Sequence, residues 1–199
     1  MDERTKHYFA ELQSSDKNAQ YEAYSSIMKI TEEEVDWAYE VWDQLKEELT
    51  SKDPHKRSRA AQFLSRLAIS DPEQRMLEDF PQVWEVTYDK KFVTARHSLQ
   101  AIWRIGLAGE KQKEMVIRHL AARFDNCVDE KHATLIRFDI IQGLRNLYDK
   151  VQDEAIKQLA FDLIEKEEDP KYQKNMQQYG NRKKEPSVAT LPVNKWQYD

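Results

Sequence analysis

Residues 53–67 read DPHKRSRAAQFLSRL, and this segment carries the clearest helix signal in the chain. Asp53 is suited to cap a helix N-terminus, and the proline after it is tolerated in a first turn, where its missing N–H has no partner to lose. The small and apolar residues that follow recur at spacings of three and four, so they share one face of an α-helix. The segment therefore predicts a helix over residues 54–69.

The remainder of the chain has the same helical spacing. Over residues 34–50, apolar side chains recur at steps of 3, 4, 3 and 4. The 199 residues include only 4 glycines and 6 prolines, too few turn formers for a β-sandwich or barrel. We therefore expect an all-α protein, in which Pro81 kinks or splits its helix. The predicted helices cover residues 16–29, 34–50, 54–69, 72–87, 90–107, 110–126, 130–148 and 151–167, with a short one over 3–13.

A short pattern recurs in these helices. Pairs of Ile or Leu separated by three positions begin at Ile27, Leu64, Ile102 and Leu144, at steps of 37, 38 and 42 residues. Each period holds two predicted helices and a short connection. Because one helix pair cannot bury its own apolar face, a period of about 40 residues predicts a stack of helix pairs.

Two of the four repeats carry a further motif. Asp53 is followed by Arg57, and a leucine lies seven residues after the arginine. Asp129 and Arg137 are followed by a leucine at the same distance. With this motif the chain resembles the HEAT-repeat family, specifically its short bacterial form, over about residues 16–167.

The resemblance implies both an architecture and a set of contacts. In this family the Asp and the Arg tie successive repeats together. The third repeat has Ala95 in the arginine position, with Arg96 beside it, and the first has Gln20, so these two repeats depart from the pattern. The implied fold is a right-handed α-solenoid of about four helix pairs over residues 1–170, whose second helices line the concave side. A linker and a non-helical C-terminal tail are expected over residues 171–199.

The residue types that commonly serve in catalysis or metal binding do not form a recognisable pattern in this sequence. No two of the five histidines have the i,i+4 spacing that places a zinc-binding pair on one helix face. Cys127, with Asp129, Glu130 and His132, is a poor set of zinc ligands, and its expected place at a helix C-terminus disfavours a thiolate. The four glycines form no phosphate-binding loop. We therefore expect a protein that is not an enzyme and needs no cofactor or metal.

Charge is unevenly distributed along the chain. Residues 1–50 carry a net charge of −8, and residues 51–150 carry +4. The basic middle predicts either ordinary solvated helix faces or a surface for an anionic partner. The resemblance implies a non-catalytic interaction module that binds a protein partner on the concave face of the solenoid. The candidate partner-binding residues are Arg75, Lys111, Arg118, Arg123 and Phe161.

A second hypothesis comes from the same resemblance. Some bacterial HEAT-like proteins are DNA glycosylases of the alkylation-repair type, which cradle damaged DNA in a basic concave face and use Trp and Asp near the lesion. Trp37, Trp84 and Asp139 are the residues here that could serve such a site. A sequence pI of about 5.7 weighs against nucleic acid. The single cysteine and the polar N-terminus predict a cytoplasmic protein without a membrane segment, and we expect a monomer.

The C-terminal segment has a mixed character. Phe161 is expected on the polar side of the last predicted helix, opposite Leu159 and Leu163. The tail beyond residue 180 is mostly polar but includes Leu191 and Trp196. Because the last pair of a stack has no successor to cover it, we expect this tail to fold back onto Phe161.

Overall fold

The computed structural model describes residues 1–180, and residues 181–199 lie outside the described part of the chain. The described residues contain helices and turns but no strand, which confirms the all-α prediction for them. Three short 3₁₀ helices interrupt the pattern, at Ala68–Ser70, Val86–Tyr88 and Ile102–Leu107. The α-helices are α1 (Glu3–Glu11), α2 (Lys17–Ile30), α3 (Ala38–Glu48), α4 (Pro54–Leu67), α5 (Met76–Glu85), α6 (Phe92–Ala101), α7 (Glu110–Asn126), α8 (Ala133–Val151), α9 (Glu154–Glu165) and α10 (Pro170–Gly180).

Aspartates begin several of these helices. The side chains of Asp2, Asp16, Asp53 and Asp153 each accept a hydrogen bond from a backbone N–H in the first turn. Helix α4 starts at Pro54 directly after its Asp53 cap, as the sequence predicts. These bonds satisfy N–H groups that have no partner within a helix, so a single residue fixes each start.

The start of α5 differs from the prediction. Asp71 accepts hydrogen bonds from the backbone N–H groups of Arg75 and Met76, so the helix begins at Met76 rather than at residue 72. A turn lies between, with Gln74 at a φ of 58°. Pro81 does not split α5, which continues to Glu85. Pro81 is exposed, and its ring nitrogen removes a single main-chain hydrogen-bond donor from the helix.

The repeated apolar positions are buried. Ile27, Leu64, Ile102 and Leu144 are each fully shielded from solvent, as predicted for equivalent core positions. The helix predicted over residues 90–107, which contains Ile102, is not one continuous α-helix, however. It is α-helical over α6 and becomes 3₁₀ from Ile102 to Leu107, ahead of the turn at Gly109, whose φ is 154°.

The helices form two layers. Helices α2, α4, α6, α8 and α10 contact one another in succession, and α6 is joined in this layer by the 102–107 3₁₀ helix. Helices α3, α5, α7 and α9 form the other layer and contact one another at only a few residues. We refer to these as the even and odd layers, and to α2–α3, α4–α5, α6–α7 and α8–α9 as helix pairs one to four.

The end of the described chain is helical, contrary to prediction. Helix α10 packs on α8 and α9, and its Met176 is fully buried, so the expected non-helical linker from residue 171 is wrong up to residue 180. Phe161 is half-buried and packs against the core rather than standing on a polar side of α9. The predicted fold-back of the tail falls on residues that lie outside the described part.

Candidate partner-binding face

The two layers differ in charge. The even-numbered helices and the 102–107 3₁₀ helix carry 13 basic and 3 acidic side chains, a net charge of +10. Helices α3, α5, α7 and α9 of the odd layer carry 6 basic and 13 acidic side chains, a net charge of −7, and α1 adds no net charge. The sequence shows only an acidic first quarter and a basic middle, because the two layers alternate along the chain. Folding therefore sorts the charges by layer.

Arginines of the even layer bind carboxylates of the following pair. Arg57 of pair two donates two hydrogen bonds to Asp89 through Nε and Nη2 and a third through Nη1 to the carbonyl of Ser51 at 2.7 Å. Arg137 of pair four donates to the buried Glu167 at 3.2 Å. The first contact connects pair two to pair three, and the second connects pair four to the segment that leads into α10.

The third pair makes this connection with the neighbouring residue. Arg96, beside Ala95, donates from Nε and Nη2 to Asp139 on α8 at 2.6 and 2.8 Å. Gln100 adds a hydrogen bond to the same carboxylate at 2.8 Å. The side chain of Asp139 is completely shielded from solvent. In the first pair, Gln20 donates only to the carbonyl of Ser14, so it does not reach the next pair.

A second charged cluster centres on Glu32, which follows α2. Its carboxylate accepts hydrogen bonds from Arg66 on α4 and from Arg104, both at 2.8 Å. Burial works to raise the pKa of Glu32, but the hydrogen bonds and charges of Arg66 and Arg104 outweigh it, and the pKa is lowered. Burial and the neighbouring Arg66 lower the pKa of Arg104. A carboxylate shared by two guanidinium groups leaves this corner of the even layer electropositive.

Six polar side chains of α6, the 102–107 3₁₀ helix and α8 belong to the even layer, and we call them the polar strip: Arg96, His97, Gln100, Arg104, Gln142 and Arg145. All six side chains are half-buried. Burial and the charge of Arg96 lower the pKa of His97, so this histidine favours its neutral form. Partial desolvation strengthens the interaction of the arginines with any anion that binds there.

The sequence did not lead us to predict the Glu32 cluster or this strip, although the positions of two arginines in the repeats indicate the cluster. Arg66 and Arg104 each lie two residues after a repeated apolar position, at Leu64 and Ile102. Equivalent positions in successive repeats lie side by side in a stack. Both arginines therefore reach the same carboxylate.

The sequence-predicted basic residues lie on the odd layer, and two of them are already engaged. Arg75 pairs with Asp43 and lies 5.1 Å from the ring centre of Tyr39. Arg123 is only 4% exposed and pairs with Glu130. Lys111 and Arg118 are exposed on α7, as predicted. Of the four predicted basic residues, Lys111 and Arg118 are therefore the ones exposed enough to contact a partner.

The three residues considered for a glycosylase site have separate surroundings. Trp37 is buried beside Phe9, and Trp84 stacks on Phe80. Asp139 is fully engaged by Arg96 and Gln100, as described above. These neighbours belong to different helix pairs, so the three side chains do not form one site.

Other reactive groups are in ordinary settings. Cys127 caps the C-terminus of α7, as predicted, and burial raises the pKa of its thiol. Across residues 1–180, no three His, Cys, Asp or Glu side chains come together as they would around a metal ion. No helix in the same range is both long and apolar enough to cross a membrane.

Comparison with known proteins adds no assignment. No protein-family model matches the chain, and no curated protein matches it at a significant level.

Proposed function

We propose that this protein is a non-catalytic interaction module, a HEAT-like solenoid that binds an acidic protein partner on its concave face. The observation that carries the proposal is the sorting of charge, with a net charge of +10 on the even-numbered helices against −7 on the odd-numbered ones. Complementary charge of this kind steers partners and selects among them. Lys150 and Lys174, at exposed positions of the even layer, add accessible positive charge for an acidic partner.

The concave face in this proposal belongs to the even layer, not to the second helices as expected from the sequence. A two-layered stack bends toward the layer whose helices lie closer together, and the even helices contact one another more extensively than the odd helices do. The contact between Glu32 and Arg104 supports the same direction, because it connects pair one to pair three across pair two. Lys111 and Arg118, on α7, then lie on the opposite side.

The experiment compares two charge-reversed variants in a capture of partners from native cell extract. Lys150→Glu with Lys174→Glu alters exposed positions on α8 and α10 of the even layer. Lys111→Glu with Arg118→Glu makes the same charge change at exposed positions of α7. We expect a partner that the wild type and the α7 variant retain and the even-layer variant loses. Equal retention by both variants, or loss only with the α7 variant, would contradict the assignment of the face.

Nucleic acid is a second candidate, because the net charge of +10 on the even helices also suits a phosphate backbone. Six of the arginines on these helices are already paired with carboxylates of the chain, which lowers the positive charge left for a phosphate backbone: Arg57, Arg66, Arg96, Arg104, Arg137 and Arg145. Filter binding of duplex DNA over a range of salt concentrations separates the two candidates. Retention that falls steeply with salt would support nucleic acid, and no retention at low salt would remove it.

A further inference from the structure

A pocket of about 310 Å³ opens where pair three meets pair four, beside Ala95. Ala95 occupies the position at which Arg57 and Arg137 stand in their own repeats. Leu99 and Ile136 form apolar walls next to it. The pocket is therefore the space left where this repeat lacks its arginine side chain.

Arg123, from the odd layer, makes the contacts that the missing arginine would make. Its Nη2 donates to Glu130 at 2.9 Å and approaches the carbonyl of Thr87 at 3.4 Å. Arg57 binds the equivalent groups one repeat earlier, a carboxylate of the next repeat and a carbonyl at the end of the preceding odd helix. Pair three is therefore connected to pair four twice, by Arg96 with Asp139 and by Arg123 with Glu130, and the second side chain enters from the other layer.

This replacement leaves hydrogen-bond donors without acceptors. The Nε and Nη1 atoms of Arg123 are buried and have no hydrogen-bond partner within the described part of the chain. The guanidinium carbon lies 3.3 Å from the centre of the Tyr88 ring, which covers one face. The carboxylates nearby are already used, since Asp89 is held by Arg57 and Glu130 by Arg123. A buried donor that lacks a partner is costly, so an anion that draws the Arg123 guanidinium group toward the pocket would relieve this cost.

The rest of the pocket suits a small aromatic anion. Lys90 and Lys131 are exposed at its rim and add positive charge. Phe92 and His132 stack on each other with their ring centres 4.3 Å apart, and both line the pocket. His132 has a φ of 70°, an uncommon conformation for a residue with a side chain, and such residues cluster at binding sites.

We propose that this pocket binds a small aromatic oxyanion, a phosphate or a carboxylate, whose charged group pairs with Arg123 and Lys131 and whose ring packs beside the stacked rings of Phe92 and His132. The volume is of the size that small-ligand sites have. The pocket shares Arg96 with the polar strip, but the proposal does not depend on the interaction function, because none of the four residues assigned to the ligand belongs to the strip.

Calorimetric titration of the full chain with phenyl phosphate and with benzoate tests the proposal and shows whether the charged group is a phosphate or a carboxylate. We expect saturable binding of one or both probes to the wild type. Ala95→Leu fills the pocket and should weaken binding about tenfold or more, while Ala155→Leu, at an exposed position of α9, should leave it unchanged. Lys131→Ala, at an exposed site, should also weaken binding and does not depend on repacking the interior.

Three results would overturn the assignment. The first is no saturable binding of either probe to the wild type. The second is equal binding by the wild type and by both the Ala95→Leu and Lys131→Ala variants. The third is binding of inorganic phosphate as tight as that of phenyl phosphate, which would remove the aromatic part of the ligand.

Discussion

Arg96 and Asp139 lie 43 positions apart in the sequence and are joined by two hydrogen bonds, at 2.6 and 2.8 Å. The arginine belongs to α6 and the aspartate to α8, so the pair connects two successive helices of the even layer. The carboxylate is fully buried, whereas the arginine side chain is 31% exposed. The contact therefore both holds the layer together and presents part of a guanidinium group on the polar strip.

Replacing Asp139 with Asn tests the structural part of this contact. The amide cannot accept both hydrogen bonds from Arg96, and a partly buried cation is left without its counter-charge. We expect a loss of about 2–4 kcal/mol in the free energy of unfolding, measured by chemical denaturation. Asp149→Asn is the matched control on the same helix, because its pair with Arg145 is an i,i+4 contact and should change stability by less than about 0.5 kcal/mol. Equal effects of the two variants would contradict the role of Asp139.

Glu32→Gln should lower stability by about 1–2 kcal/mol at neutral pH, because Arg66 and Arg104 lose a shared partner. The lowered pKa of Glu32 means that its contribution is present above the ordinary value of 4.5 and is lost as the pH falls through the folded-state value. The difference between wild type and variant should therefore shrink in acid. Glu33→Gln, at the exposed neighbouring residue, should have no such pH-dependent effect. A difference in stability between wild type and Glu32→Gln that does not change with pH would contradict this role of the Glu32 carboxylate.

His97 gives a pH dependence in a different range. Because burial and Arg96 lower its pKa below the ordinary 6.5, the unfolded chain binds the proton more readily than the folded one. Stability should then fall as the pH drops below about 6.5. Wild type should lose more stability on acidification from neutral pH than His97→Gln, as followed by thermal denaturation. His7→Gln, at an exposed position of α1, should behave like the wild type.

Ile102→Ala tests the repeat register. The side chain is fully buried, so its truncation should cost about 2–5 kcal/mol through lost burial and the cavity left behind. Val93→Ala, at a residue that is 56% exposed on the same segment, should change stability by no more than about 0.5 kcal/mol. A small effect at Ile102 would mean that the repeated apolar positions do not form the core.

Met176→Ala tests the last helix. Met176 is fully buried between α10 and the preceding pair, and its truncation should cost about 2 kcal/mol in urea denaturation. Lys174→Ala, at an exposed position of α10, is the control and should be neutral within about 0.5 kcal/mol. An unchanged midpoint for Met176→Ala would indicate that α10 does not pack as described.

Local signals in the sequence predict most helix starts but not every boundary. Asp53 and Pro54 fix a start because the cap and the first turn are adjacent. Asp71 caps backbone groups four and five residues away, which no local pattern reveals. At the start of α10, Asp169 and Pro170 repeat the signal of α4, but the polar composition of the residues that follow outweighs it in a sequence-based prediction.

The sites were harder to predict than the helices. The polar strip depends on side chains that meet across helix pairs, such as Arg104 with Glu32, and only their equivalent repeat positions hint at it. The pocket depends on Arg123 entering the place of an arginine that the motif lacks at Ala95. A surface role was predicted for Arg123 from its charge alone, and it is buried because Glu130 and the ring of Tyr88 accommodate that charge.

The contact between Glu32 and Arg104 also affects how the protein unfolds. In a stack where each unit contacts only its neighbours, the ends can fray while the middle stays folded. This contact spans 72 positions and passes over one helix pair, so pair one cannot detach without disturbing pair three. The N-terminal three pairs should then unfold as one cooperative unit, and amide hydrogens of α2 should exchange with solvent no faster than those of α6.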